Sequence, residues 1–113
     1  MEKVFFKECF LTDIIKYDAL AVWDDMKIGA SMELVYESIP FNEEKKCLFA
    51  YYKKGEQKHP IGCLSKDDSN MIEQLICMGW KDIFLCRISQ VDNDATNDQR
   101  IKVAIYIQKC SQN

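Results

Sequence analysis

The sequence predicts a mainly β fold with two helices (α+β), a small β-barrel of about six strands with the helices packed on it. The segment from Met32 to Leu64 reads as strand, polar corner, strand, lysine-rich turn, strand. Met32, Leu34 and Tyr36 alternate with Glu33 and Glu37, Cys47 to Tyr52 is a short run rich in aromatics, and Pro40 and Asn42 mark the corner between them. Two further strands close the chain. At 113 residues there is room for one domain, 1–113, built on one core.

Taken in order, Val4 to Ile15 is apolar with β-branched and aromatic residues and reads as one strand or two short ones, broken at Asp13. Asp18 to Met26 places Leu20, Val22, Trp23 and Met26 at spacings that suit a short helix, with Gly29 as a stop just beyond it. Ser65 to Met78 is the clearest helix. Ser65 and Asp68 have the form of a capping box, Asp67 and Asp68 complement the positive end of the helix dipole, and Gly79 supplies a left-handed stop. Met71, Ile72, Leu75 and Ile76 form one apolar stripe, so the helix is expected to cover an open end of the barrel with Ile72, Leu75 and Ile76 inward.

The strand Ile83 to Val91 carries apolar residues on both parities and is expected to be buried on both faces for part of its length. In Arg100 to Gln108, Ile101, Val103, Ile105 and Ile107 alternate with Lys102, Ala104, Tyr106 and Gln108, the cleanest period-2 pattern in the chain. Turn formers from Asp92 to Asp98 join these two strands as a hairpin loop.

Composition is globular, with 48% hydrophobic and 29% charged residues, which excludes the charge-rich signature of disorder. Lys7 and Glu8 interrupt the opening apolar patch, so it offers no signal-peptide core, and no stretch approaches the roughly 20 apolar residues that span a bilayer. A cytoplasmic chain without membrane contact is expected. Cys9, Cys47, Cys63, Cys77, Cys86 and Cys110 contain no C-x-x-C pair; Cys47, Cys63, Cys77 and Cys86 sit in apolar patterns, which predicts buried, unbridged thiols. Net charge is −3, against bulk attraction to nucleic acid, yet Lys45, Lys46, Lys53, Lys54, Lys58 and Lys66 face a single acid, Glu56, between positions 45 and 66.

Catalysis finds little support. His59 is the single histidine and precedes Pro60 in the lysine-rich turn, where a solvent-exposed side chain is expected. The glycines stand singly at Gly29, Gly55, Gly62 and Gly79, so no phosphate-cradling loop exists. Asp92 and Asp94 have the spacing of a calcium loop without its glycine or closing glutamate. The pairs Asp24/Asp25 and Glu43/Glu44 diverge in direction and read as solvated surface. No metal and no cofactor is expected. Tyr51-Tyr52-Lys53-Lys54, with Lys16-Tyr17 upstream, instead has the ingredients of single-strand recognition: rings to stack bases and cations to meet phosphates. Alternation sends Tyr51 and Tyr52 to opposite faces, so one of them belongs to the core.

Several short motifs occur in a suggestive order: Lys27-Ile28-Gly29 before the strand Met32 to Glu37, Pro40-x-Asn42 before the next strand, Ile61-Gly62-x-Leu64, and the helix Asn70 to Met78 ending in Gly79. Together, over roughly Phe10 to Tyr106, they resemble the HIRAN domain. That family is a small SH3/OB-like β-barrel with two helices, found fused to SNF2-type helicases and also alone in bacterial proteins; its best-understood member, in the helicase-like transcription factor, binds the 3′-hydroxyl end of single-stranded DNA. The family's corner commonly runs P-x-N-P-Y-D-x-N-A-I. Here Pro40 and Asn42 match, while Glu44 stands at the tyrosine and Lys45 at the aspartate. Cys63 replaces a histidine that often follows the family's glycine, Lys66 matches the lysine three positions later, and Tyr17 matches part of an upstream aromatic pair.

The resemblance implies a non-enzymatic module that binds nucleic acid, single-stranded DNA by preference, with weakened 3′-end specificity. Its expected contacts are Tyr17 and Lys66, with Lys53 and Lys54 beside them, and its expected partner protein is a helicase or a nuclease. The rival expectation, from the negative net charge and the replaced corner residues, is a protein–protein interaction module without DNA binding.

Overall fold

The computed structural model describes residues 3–40 and 42–108. Six strands, β1 (Lys3–Phe10), β2 (Ser31–Ile39), β3 (Asn42–Lys54), β4 (Gln57–Cys63), β5 (Phe84–Val91) and β6 (Ile101–Gln108), form one antiparallel sheet in the order β1-β6-β5-β2-β3-β4. One α-helix, α1 (Lys66–Cys77), and short 3-10 stretches at Ile14–Lys16, Leu20–Asp25, Lys81–Ile83 and Asn97–Gln99 complete the described chain. None of its helices is long and apolar enough to cross a membrane.

The alternation of β6 holds for its isoleucines and valine, whereas β5, expected to start at Ile83 and to be buried on both faces, starts at Phe84 and fully buries only the face of Cys86 and Ile88. Ile101, Val103 and Ile105 of β6 and Cys86 and Ile88 of β5 are all but fully buried, and Leu48 and Ala50 of β3 meet them in one core cluster. Two tight connections set the register of the second half-sheet. Pro40 ends β2, and Gly55, at φ 64°, opens the two-residue turn between Lys54 and Gln57, a conformation that favours glycine. The loop from Asp92 is stapled by its own polar atoms: the Asp94 N–H donates to Asp92 Oδ1 at 3.0 Å, and Arg100 Nε donates to the Ala95 carbonyl at 3.0 Å.

The sheet is not closed. Its two halves, β1-β6-β5 and β2-β3-β4, are joined at the ladder pairs Ser31 with Arg87 and Met32 with Cys86, and just before them by backbone bonds of Ile88 with Gly29 and Ala30. Across the outer edges a single bridge forms, in which the Thr12 N–H donates to the Cys63 carbonyl at 2.7 Å and the Cys63 N–H returns the bond at 3.0 Å. Gly62 makes that crossing possible, because a Cβ there would lie 2.8 Å from the Thr12 carbonyl oxygen and 2.9 Å from the Ile14 side chain.

Asp13 breaks β1 as expected, in the left-handed region at φ 58°, and the chain then turns into a 3-10 stretch that buries Ile14 and leaves Ile15 outside. The segment read as a short helix is the 3-10 stretch Leu20–Asp25, kinked at Val22. Ala19, Val22 and Met26 are its core residues, whereas Leu20 faces out. With no capping side chain and too few residues to propagate, it never becomes an α-helix.

Helix α1 starts and stops where its sequence dictates. Ser65 Oγ accepts the Asp68 N–H at 3.3 Å; at the far end the Gly79 N–H reaches the Ile76 carbonyl at 2.9 Å and the Trp80 N–H reaches the Leu75 carbonyl at 3.0 Å, with Gly79 at φ 98°. Its inward face is turned from the expected stripe. Ser69, Ile72 and Glu73 are buried and Ile76 packs on the core, while Leu75 is half-buried and Met71 is 55% exposed. The spacing i, i+3, i+4, i+7 is one true helical face, and a polar pair occupies part of it. Cys9, Cys47, Cys63, Cys77 and Cys86 are free thiols. Cys77 is exposed on α1, against the expected burial, and Cys110 lies outside the described residues.

Ile72→Ala is expected to destabilise the fold by about 2–5 kcal/mol in urea unfolding, because it empties a fully buried site. Met71→Ala on the exposed side is expected to stay within about 0.5 kcal/mol. Equal losses at both positions would contradict the orientation of α1.

Burial also sets a pH dependence. It pushes the Cys9 thiol up to about 11 and the Cys47 thiol up to about 12, and raises Cys86 as well. An unfolded thiol ionises near about pH 8.5. The contribution of these thiols is therefore complete below that pH and lost as pH rises toward about 12. The urea midpoint should fall progressively over this range, and less steeply in a Cys9→Ala/Cys47→Ala variant.

Candidate functional site

The corner between β2 and β3 carries the most distinctive surface. Ser38 pairs with Lys46 and Ile39 with Asn42, so the register shifts between them and the segment Glu43-Glu44-Lys45 stands out from the ladder. The N-terminal turn of α1 lies opposite. Between them opens a groove of about 510 Å³ lined by Tyr36, Ile39, Glu44, Lys45, Lys46 and Lys66. The Lys46 ammonium sits 5.6 Å from the centre of the Tyr36 ring, within cation–π range.

Lys66 is fixed from below. Its ammonium donates to Glu73 Oε1 at 3.2 Å, and the other carboxylate oxygen of Glu73 accepts a short hydrogen bond from the buried Ser69 hydroxyl. Glu73 is itself buried, which requires such partners for a carboxylate. The hydrogen bond to Glu73, and then its charge, raise the Lys66 ammonium above its usual range. Lys66 thus lines the groove with its ammonium held on Glu73.

The other expected contacts lie elsewhere. Tyr17 follows the 3-10 stretch after Asp13, and its ring stands edge-on to Phe49 with centroids 5.2 Å apart and planes at 90°. Burial, and then the neighbouring Cys63, raise its phenol above the usual range. The ring covers Phe49 and does not line the corner groove. Lys53 and Lys54 sit at the far tip of β3, about 23 Å along the strand from Lys46 at ~3.3 Å per residue. Lys54 is spoken for by Asp25 at 3.4 Å, whereas Lys53 borders a smaller cleft of about 250 Å³ in which Lys58 pairs with Glu33 at 2.9 Å. Tyr17, Lys66 and the Lys53/Lys54 pair thus occupy three places.

Tyr51 and Tyr52 do point to opposite faces. Tyr52 packs on the core; the Tyr51 hydroxyl donates a short hydrogen bond to Glu37, and burial together with that bond pushes the phenol up to about 12. His59 is not the exposed turn residue expected. It is half-buried, with Nδ1 2.8 Å from Asp18 Oδ2, because the Asp18 N–H also donates to the Pro60 carbonyl at 2.8 Å and so holds the 3-10 segment against β4. Among the described residues no three His, Cys, Asp or Glu side chains cluster as metal ligands would.

Sequence reasoning missed Tyr36, Lys46 and Glu73 as parts of this site. The signal for Glu73 was its spacing, four residues after Ser69 and seven after Lys66, which puts all three on one helix face. Comparison with known protein families, with curated proteins and with solved structures gives no match for this chain.

Lys66→Ala should lower the thermal midpoint, because it leaves the buried Glu73 carboxylate without its cation. Adding Glu73→Gln, which keeps an acceptor for Ser69 without the charge, should recover most of the loss. Additive losses in this double-mutant cycle would show that the pair carries no coupling.

Proposed function

We propose that this chain is a non-enzymatic HIRAN-like module, its curled six-stranded sheet a variant of that family's barrel, which binds single-stranded nucleic acid in the corner groove. One observation carries the reading. Glu44 and Lys45, which stand where the family has a tyrosine and an aspartate, and Lys66, which matches its lysine, line one groove together with Tyr36 and Lys46. Among the described residues Lys45 and Lys46 make no ion pair, so their charge is available to phosphates. The Thr12–Cys63 bridge, which brings the outer edges of the sheet together, supports the barrel-like reading.

The replaced corner residues set the preference. A lysine in place of an aspartate removes an acceptor for a terminal hydroxyl and adds a cation that tolerates a terminal phosphate, so 3′-end specificity is weakened. Tyr17, bound to Phe49, contributes to this surface by holding β3, and Lys53 by extending the cationic strand edge. The setting is cytoplasmic, with a helicase or nuclease as partner protein.

Fluorescence anisotropy with labelled oligothymidylate should show single strands binding more tightly than duplex, with a clear salt dependence. A 3′-phosphate should change affinity little. Lys45→Ala/Lys46→Ala should weaken binding and flatten the salt slope by about 0.7 for each phosphate that is no longer neutralised. Absence of binding at low salt to either form would end the nucleic-acid reading.

A further inference from the structure

The strand β2 has a free edge inside the molecule. Its pairing with β5 ends at Met32, while its pairing with β3 continues to Ile39, so among the described residues Leu34–Ile39 has a strand neighbour on one side only. The Ala30 carbonyl accepts the Ile88 N–H across the β5 side at 2.9 Å. Period-2 alternation then directs the backbone N–H and C=O groups of Leu34, Tyr36 and Ser38 toward that same side, where no described strand receives them. Six residues at ~3.3 Å each make an open edge of about 20 Å.

This edge forms one wall of a trough. Cavities of about 260, 250, 410 and 510 Å³ follow one another along it, linked by shared Glu33, Leu34 and Tyr36, with Asp82 and Phe84 as the opposite wall of the first and α1 residues lining the others. The middle is apolar, offered by Leu34 and Ile76 and by Met78, which is 71% exposed. The two ends differ in sign. Lys45, Lys46 and Lys66 outnumber Glu44 at the Ile39 end, with Lys66 held by Glu73, and Glu33 and Asp82 stand at the Leu34 end, with Glu33 also paired to Lys58.

We propose that this trough binds an extended peptide segment of a partner protein, which adds to β2 as an antiparallel strand. Main-chain hydrogen bonds to Leu34, Tyr36 and Ser38 supply affinity, and alternate side chains entering the trough supply selectivity. Antiparallel addition fixes the polarity of the partner. Because β2 runs from its acidic end to its lysine end, the peptide's N-terminal end meets the lysines and its C-terminal end meets Glu33 and Asp82. The segment recognised therefore carries acidic residues first, alternating apolar residues in the middle, and basic residues last. The proposal rests on the strand edge and stands whether or not the corner groove binds nucleic acid.

The test uses three fluorescein-labelled synthetic peptides on the full chain. The first has two glutamates, an alternating valine–threonine centre and two lysines. A second keeps the composition with glutamates and lysines exchanged, and a third N-methylates alternate central residues to remove the donors that face β2. Anisotropy should show binding of the first, about tenfold or more weaker binding of the second, and none of the third. Amide hydrogen exchange should find Leu34, Tyr36 and Ser38 unprotected in the free protein and protected by the first peptide. A Lys45→Glu/Lys46→Glu variant, in which both ends of the trough are acidic, should bring the first two to nearly equal affinity by weakening the first. Equal affinity for all three peptides, no binding up to about 1 mM, or protection of those amides before peptide is added would overturn the proposal. Oligothymidylate titrated separately reads the corner groove alone, so each reading can fail without the other.

Discussion

Two ladder pairs, Ser31 with Arg87 and Met32 with Cys86, together with the backbone bonds of Ile88 to Gly29 and Ala30, carry the join between the halves of the sheet. So short a seam lets β2-β3-β4 fold over toward β1-β6-β5 instead of continuing it, and the core fills the space between. Leu48, Ala50 and Ile61 come from one half, and Ile88, Ile101 and Ile105 from the other. The fold then needs something to hold the far side, which the Thr12–Cys63 bridge supplies over Gly62, and something to fill the open flank, which α1 supplies with Ile72. Lys7, whose ammonium lies 3.5 Å from Asp68 Oδ1, ties the first turn of that helix to β1.

The same folding over redistributes charge. A cationic stretch in the sequence becomes, in three dimensions, a set of local pairs: Lys54 with Asp25, Lys58 with Glu33 and Lys66 with Glu73. Each exposed pair adds little to stability, since surface ion pairs contribute about 0–1 kcal/mol. What they change is the field. Among the described residues Lys45 and Lys46, beside Tyr36 at the corner, and Lys53, at the hairpin tip, are left without an ion pair.

Where a residue's environment is set by its own strand, the sequence was a sufficient guide. Ile101, Val103 and Ile105 recur at period two and are buried, and Ser65 and Gly79 bound α1 as their chemistry requires. Legibility failed where a partner distant in sequence decides the outcome. His59 is drawn in by Asp18, 41 residues away, and Lys54 is compensated by Asp25 through a contact no local pattern contains. On α1, hydropathy favours Met71 over Glu73, yet Glu73 is the buried one, because Ser69 and Lys66 on the same face satisfy its two oxygens. A carboxylate with both partners in place can be buried; without them it could not. Of the site, Lys66 was legible as a contact and Glu44 and Lys45 as corner positions, while Tyr36 and Lys46 join them only through the register shift at Ile39.

An open sheet must deal with its edges, and this one treats them unequally. The β1 edge is interrupted by a bulge between Phe5 and Lys7, a device that discourages strand pairing. The β4 edge carries Pro60, which lacks a donor, and is partly covered by the bonds from Thr12 and Asp18. From Leu34 to Ile39, β2 has neither proline, lysine nor bulge before Ile39, and its flank is a trough rather than a covering loop. An unprotected edge open to solvent would invite indiscriminate pairing. Set between α1 and the seam to β5, it admits only a single extended strand, and the opposed charges at its ends restrict which one. The short seam that allows the sheet to fold over is thus also what leaves a strand edge available for recognition.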